Sequence, residues 1–112
     1  MNTRPTVDLA WVRTDSKGQI EGLSRAAREL LGVPRARGQN LFLFFPVHSR
    51  EMAFDMEVAL TGWPSRRLAT LERDAQRRLT VRYTVSTGLT FDAVGLYWFF
   101  EVVEVRAVDR VH

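Results

Sequence analysis

From Arg77 to Thr87 the chain alternates: Leu79, Val81, Tyr83 and Val85 are separated by Arg78, Thr80, Arg82 and Thr84. Side chains of an extended strand point to opposite faces in turn, so this is a strand with one dry face and one wet face. A dry face must be covered, which demands neighbouring strands and an apolar layer across them. The segment Ala93 to Arg106 supplies one neighbour, with a difference. Leu96, Trp98, Phe100 and Val102 take one face, and Tyr97, Phe99 and Val103 take the other. Both faces are apolar. In a one-sheet domain only one of them meets helices, so the other calls for a further cover, and a second copy of the chain is the simplest one. Tyr97, Phe99 and Val103 are therefore the candidate dimer-interface residues. A regular strand here also sends Glu101 and Glu104, three positions apart, to opposite faces, which excludes a catalytic carboxylate pair.

The remaining elements come from turn and cap chemistry. Val7 to Thr14 is a strand that ends at the turn formers Asp15-Ser16-Lys17-Gly18, and Gln19 to Leu23 resumes it as the second arm of a hairpin. Ser24 is an N-cap for a short helix whose Ala26, Ala27, Leu30 and Leu31 share a face, and Gly32 with Pro34 ends it. Arg35 to Asn40 is a loop. Leu41 to Phe45 runs into Pro46, which permits only one or two turns. Ser49 to Leu60 is the longest helix, with Met52, Met56, Ala59 and Leu60 apolar against a wet face of Arg50, Glu51, Asp55 and Glu57. A third late strand is expected at Arg66 to Arg73. The order, two strands, short helices and three strands, predicts an α+β fold: one five-stranded antiparallel sheet with short helices packed across one face.

That order, together with the residues at its joints, resembles the PAS (Per-Arnt-Sim) family of sensory and interaction domains. Asp15-x-x-Gly18-x-Ile20 is similar to the family's first hairpin, and Ala26-Ala27-x-x-Leu30-Leu31-Gly32 to its first helix. Gly38-x-x-Leu41, Phe44-Phe45-Pro46 and Ala59-Leu60-x-Gly62-x-Pro64 resemble the steps that follow. The resemblance spans about Val7 to Arg106 of a single domain covering residues 1–112. It departs at Ser24, where an asparagine is usual, and at Glu104-Val105-Arg106 in place of a terminal Asp-Ile-Thr. It also implies where cofactors would be held. Haem-binding members carry a histidine seven residues after the proline, and that position is Ala53. Flavin-binding light sensors carry a cysteine where this chain has Leu41. The expectation is a domain without haem or covalent flavin.

Composition narrows the chemistry further. The 112 residues contain no cysteine, which removes thiolate catalysis, disulfides and Cys-ligated metals. Only two histidines are present, His48 and His112, and no metal site is expected. A net charge of +3 rests on arginines spread along the chain among thirteen acidic residues, so nucleic-acid binding is disfavoured. No apolar run approaches the roughly 20 residues of a membrane span, and the first residues lack a signal-type segment. The reading is cytoplasmic.

The candidate pocket residues are Phe44, Phe45, Met52, Met56, Val81, Tyr83 and Trp98, where the long helix faces the sheet. They either fill the core or line a small apolar cavity in which the Tyr83 hydroxyl is a rare polar anchor. Trp11, Phe54 and Phe100 join them as aromatic candidates. The function expected is a non-enzymatic sensory or signalling module of a bacterial-type system, dimerising and meeting a downstream partner. The alternatives are a small cone-shaped α+β isomerase or dehydratase, with Asp55 as base beside Tyr83, and a basic nucleic-acid adaptor. An isolated buried carboxylate would favour the enzyme.

Overall fold

The computed structural model describes residues 9–72, 77–89 and 94–107. The expected strand positions 7–8, 73 and 93, and His112, lie outside the described residues. Five strands form one antiparallel sheet: β1 (Ala10–Thr14), β2 (Ile20–Leu23), β3 (Ser65–Glu72), β4 (Arg77–Leu89) and β5 (Val94–Ala107), in the order β2-β1-β5-β4-β3. Two α-helices, α1 (Arg25–Leu31) and α2 (Ser49–Leu60), and two short 3-10 turns, Leu41–Phe44 and Pro46–His48, lie between β2 and β3 in sequence.

The joints are closed by the residues that the turn chemistry calls for. Asp15 Oδ1 accepts the backbone N–H groups of Lys17 and Gln19, and Gly18 takes a φ of 85° that suits glycine. The Phe42 ring then lies where a Gly18 side chain would be, with 2.7 Å to an ideal Cβ. Ser24 Oγ caps α1 by accepting from Ala27 N, and it also accepts from Trp11 N, which ties the helix start to β1. Gly32, in the left-handed region, ends the helix.

The two edges of the sheet are treated differently. Along β2 the following loop is hydrogen-bonded in place: Ile20 N donates to Gln39 O, Gly38 N to Ile20 O and Leu41 N to Gly18 O, each at 2.8 Å. Among the described residues the stretch around Gly22 stays uncovered. Along β3, eight residues long, no strand or loop pairs with the far edge among the described residues.

The core sits between the sheet and the helices, with Trp98, Tyr83, Phe45, Ile20, Leu41 and Met52 as the largest fully buried side chains among the described residues. Cross-strand register fixes the inner face: Ala69 with Val81, Val81 with Val102, Tyr83 with Phe100, and Val85 with Trp98. A β-bulge between Thr80 and Val81 interrupts it. Val81 pairs with Val102, but Thr80 pairs with Glu104, so Val103 is the extra residue. One expectation for β5 fails for this reason. Glu101 and Glu104 share the outer face, opposite Arg82 and Thr80 respectively, because the bulge shifts the alternation by one. Val102 shares the face of Phe100 as expected, yet is exposed, since among the described residues no helix reaches that end of the strand.

Candidate functional site

Each face of the sheet carries a candidate site. On the inner face, Arg67 of β3 and Tyr83 of β4 are cross-strand neighbours, and Asp55 of α2 descends between them. Arg67 donates twice to the carboxylate, Nε to Oδ2 and Nη2 to Oδ1, both at 2.8 Å. The Tyr83 hydroxyl donates to Oδ2 at 2.5 Å. Asp55 is 2% exposed, so its expected place on the wet face of the helix is wrong. The helical spacing explains the result: Asp55 is three residues after Met52 and four before Ala59, both buried, and so lies on the core side. Only the habit of assigning charge to water placed it outside.

Burial alone would raise the Asp55 pKa, but hydrogen bonds from Arg67 and Tyr83 and the guanidinium charge outweigh it and hold the carboxyl below its ordinary value. Tyr83 is pushed well above the usual phenol range, by burial first and then by donating to Asp55. The Asp55 hydrogen bond likewise raises Arg67. The cluster continues outward, with Arg67 Nη1 3.7 Å from Glu51 and Glu51 3.7 Å from His48 Nδ1. A carboxylate this firmly ionised and paired is a poor proton acceptor, because a general base works best with its pKa near the working pH. The buried acid is not isolated, and the feature that would have favoured the enzyme reading is missing.

Six of the seven candidate pocket residues, Phe45, Met52, Met56, Val81, Tyr83 and Trp98, are buried together, and Phe44 is half-buried against them. Tyr83 and Trp98 lie 5.6 Å apart by ring centroid, and Phe45 stacks on Phe100 at 5.6 Å. The Trp98 indole donates to Thr14 Oγ1 at 2.9 Å, a buried bond that only the register of β1 on β5 creates. The Tyr83 hydroxyl, expected as an anchor for a ligand, is instead used by Asp55. Phe54, expected among the cavity aromatics, is 60% exposed, since it lies two residues from Met52 on the opposite side of α2. A cleft of about 670 Å³ lies away from the seven, between Leu30 of α1 and Leu79, Phe100, Val102 and Val105 of the sheet. Among the described residues no group of three His, Asp or Glu side chains is placed to hold a metal ion, and no helix is long and apolar enough to cross a membrane.

On the outer face, Phe99 is 40% exposed, Val103 47% and Leu68 52%. Trp11 stands beside Phe99 by register and is half-buried. Tyr97 behaves differently from the other two interface candidates. Its ring lies across the paired glycines Gly88 and Gly95, so close that a Cβ on Gly88 would stand 2.6 Å from it. An aromatic ring over a strand glycine covers backbone that would otherwise be wet. Tyr97 is thus spent partly on its own sheet. Trp11, expected among the cavity aromatics, is instead on the outer face as the cross-strand neighbour of Phe99, because it alternates with the core-facing Val12. Leu68, which the alternation also places outside, lies on the same face two strands away, with Arg82 and Thr84 of β4 between. The alternation of β3 held that signal, because Leu68 is out of phase with the core-facing Ala69 and Leu71.

No family model and no curated protein matches the chain. Solved structures do. The VqmA dimer of Vibrio cholerae, a LuxR-type receptor described in the absence of target DNA, superposes with a TM-score of 0.73 at 17% identity, over 88% of this chain and 48% of that one. The chain thus spans about half the length of VqmA. The PAS domain of nitrogen regulation protein NR(II) from Vibrio parahaemolyticus gives 0.71 at 17% identity, covering 88% and 92%. The PAS domain of an HTR-like protein from Haloarcula marismortui gives 0.70 at 13%, covering 88% and 84%. The fold is that of PAS domains.

Proposed function

We propose that this PAS-fold chain is a cytoplasmic sensory or signalling module, not an enzyme, that acts as a homodimer and passes its state to a downstream protein or domain. The observation that carries the reading is the outer sheet face. The inner face has its cover of helices except at the cleft around Val102 and Val105, and Asp55, Tyr83 and Trp98 there have their hydrogen bonds, whereas Phe99, Leu68 and Val103 stand partly in water with nothing among the described residues laid over them. Large apolar groups gathered on one uncovered sheet face, with Trp11 and Phe99 paired at its centre, mark an interaction site more often than a tolerated blemish. Structural neighbours support the signalling part: NR(II) is a nitrogen regulation protein and VqmA a dimeric LuxR-type receptor.

Sedimentation velocity over a concentration series tests it. The wild type should be a dimer in the micromolar range, and Phe99→Arg a folded monomer. A wild type that is monomeric at high micromolar concentration removes the dimer from the reading. No haem or covalent flavin is part of the proposal, so the purified protein should lack a Soret band or flavin absorption. A Soret band lost on His48→Ala would overturn that point.

A small apolar ligand in the core is a second reading, favoured by the buried Asp55 and Tyr83 pair, which gives an otherwise greasy interior a polar end. VqmA itself has been solved bound to DPO. Binding here requires Met52, Met56 and Trp98 to part. Enlarging the helix side with Met56→Trp should then abolish ligand-induced thermal stabilisation.

A further inference from the structure

The outer face has a pattern beyond its greasiness. Cross-strand register arranges it in rows running across the strands. One row reads Trp11, Phe99, Thr84, Arg66 from β1 through β5 and β4 to β3. The next reads Glu101, Arg82, Leu68 on β5, β4 and β3, with Leu9 at the β1 end. Six of these eight residues, Leu9, Arg66, Arg82, Thr84, Phe99 and Glu101, border one shallow cleft of about 420 Å³.

We propose that a second copy of the chain docks on this face about a two-fold axis running along the boundary between β4 and β5, so that Arg82 of each copy meets Glu101 of the other. The inference rests on the dimer reading above and specifies its geometry. Rotation about such an axis lays β5 of one copy on β4 of the other and β1 on β3. The first row then sets Trp11 against Arg66 and Phe99 against Thr84. The second sets Glu101 against Arg82 and Leu9 against Leu68. Three of the four contacts are complementary, acid with base, guanidinium with indole, and apolar with apolar, and the fourth sets the Phe99 ring against the small Thr84. An axis running across the strands through the Phe99 row does worse. It places Glu101 and Arg82 against Tyr97 and Ser86, where no opposite charge waits.

Two further observations fit. Within one chain Arg82 and Glu101 are 3.7 Å apart, a loose pair that leaves room for exchange with a partner. Arg66 is exposed and has no ion pair among the described residues, so its charge is available for the indole. Two sheets packed face to face with their strands nearly aligned are the ordinary arrangement of a sandwich.

The experiment uses two charge reversals, Arg82→Glu and Glu101→Arg, whose folding is checked by circular dichroism and melting. Each alone puts like charges across the interface and should weaken self-association about tenfold or more. Mixed one to one, they should form a heterodimer of near wild-type affinity in native mass spectrometry, and the doubly reversed chain should dimerise again by itself. A wild-type dimer broken by Phe99→Arg but indifferent to both reversals, or reversals that weaken the dimer without recovering on mixing, overturns the axis and leaves the dimer standing. A monomeric wild type sinks the dimer reading as well.

Discussion

β4 belongs equally to two surfaces with opposite tasks. Its inward residues, Leu79, Val81, Tyr83 and Val85, are all buried; its outward residues, Thr80, Arg82, Thr84 and Ser86, are half-exposed. The inner face is closed along most of its length, open only at the cleft around Val102 and Val105, and the Tyr83 hydroxyl, the Asp55 carboxylate and the Trp98 indole each have a hydrogen-bond partner. The outer face is partly finished, covered at its glycine end by Tyr97 and uncovered around Phe99. Stability is therefore concentrated on one side of the sheet and association on the other, and substitutions on the two sides should separate those properties.

The largest effect is expected from Trp98→Ala, which removes the biggest buried side chain and leaves Thr14 without its partner. A loss of about 3–5 kcal/mol in urea denaturation follows from the cavity and the lost bond. A loss under about 1 kcal/mol would mean that the inner face is not the stabilising one.

Arg67→Ala should come next, at about 3 kcal/mol, because it strands the Asp55 carboxylate in the core. Its acid sensitivity sharpens the point. Asp55 has a folded pKa below its unfolded value, so its stabilisation is complete above the unfolded pKa near 3.8 and is lost as pH falls through the folded one. Tyr83 is the opposite case: its raised pKa gives stabilisation that holds below about pH 10 and is lost as pH rises further. Melting temperatures across pH should fall at both extremes, and Asp55→Asn should flatten the acid limb. An unchanged acid limb in that variant would show that other carboxylates set it.

Met56→Trp tests whether the core is full. Overpacking should cost about 1–3 kcal/mol, seen as a lower melting temperature. An unchanged melting temperature would mean that room exists under α2, in favour of the ligand reading.

Phe99→Arg should be the mildest change to the fold of the single chain, within about 0.5 kcal/mol when stability is compared at equal monomer concentration. Its effect should appear in association alone. If it unfolds the chain, the outer face is structural and the contrast between the faces collapses.

The sequence was most readable where local rules act. The alternation of β4, the Ser24 cap, the Gly32 stop and the Asp15 turn are each decided within a few residues, and the order of elements then led to the sheet. Three features resisted. The bulge at Val103 depends on how β5 meets β4, which no single strand reveals. Asp55 was misplaced because its partner Arg67 is twelve residues away, on an element whose register was not yet fixed. Arg67 nevertheless left a trace, since it is in phase with the core-facing Ala69 and Leu71, and a charge in that phase calls for a buried opposite charge. The Thr14–Trp98 bond spans 84 positions and belongs wholly to the tertiary structure.

The unequal edges of the sheet also limit how far chains can polymerise. A sheet with two bare edges is a monomer unit for a fibril, since every addition exposes a fresh edge to the next chain. Here the loop from Ala36 to Leu41 occupies the start of β2, so among the described residues the long bare edge open to strand addition is β3. Two molecules joined there consume each other's long bare edge, which favours stopping at two. The inward charge of Arg67 on that same strand, tethered to Asp55, further disfavours the attempt, because an inward-pointing charge is one of the ways natural sheets guard an edge. Chain termination is thus built into the loop that follows the first hairpin.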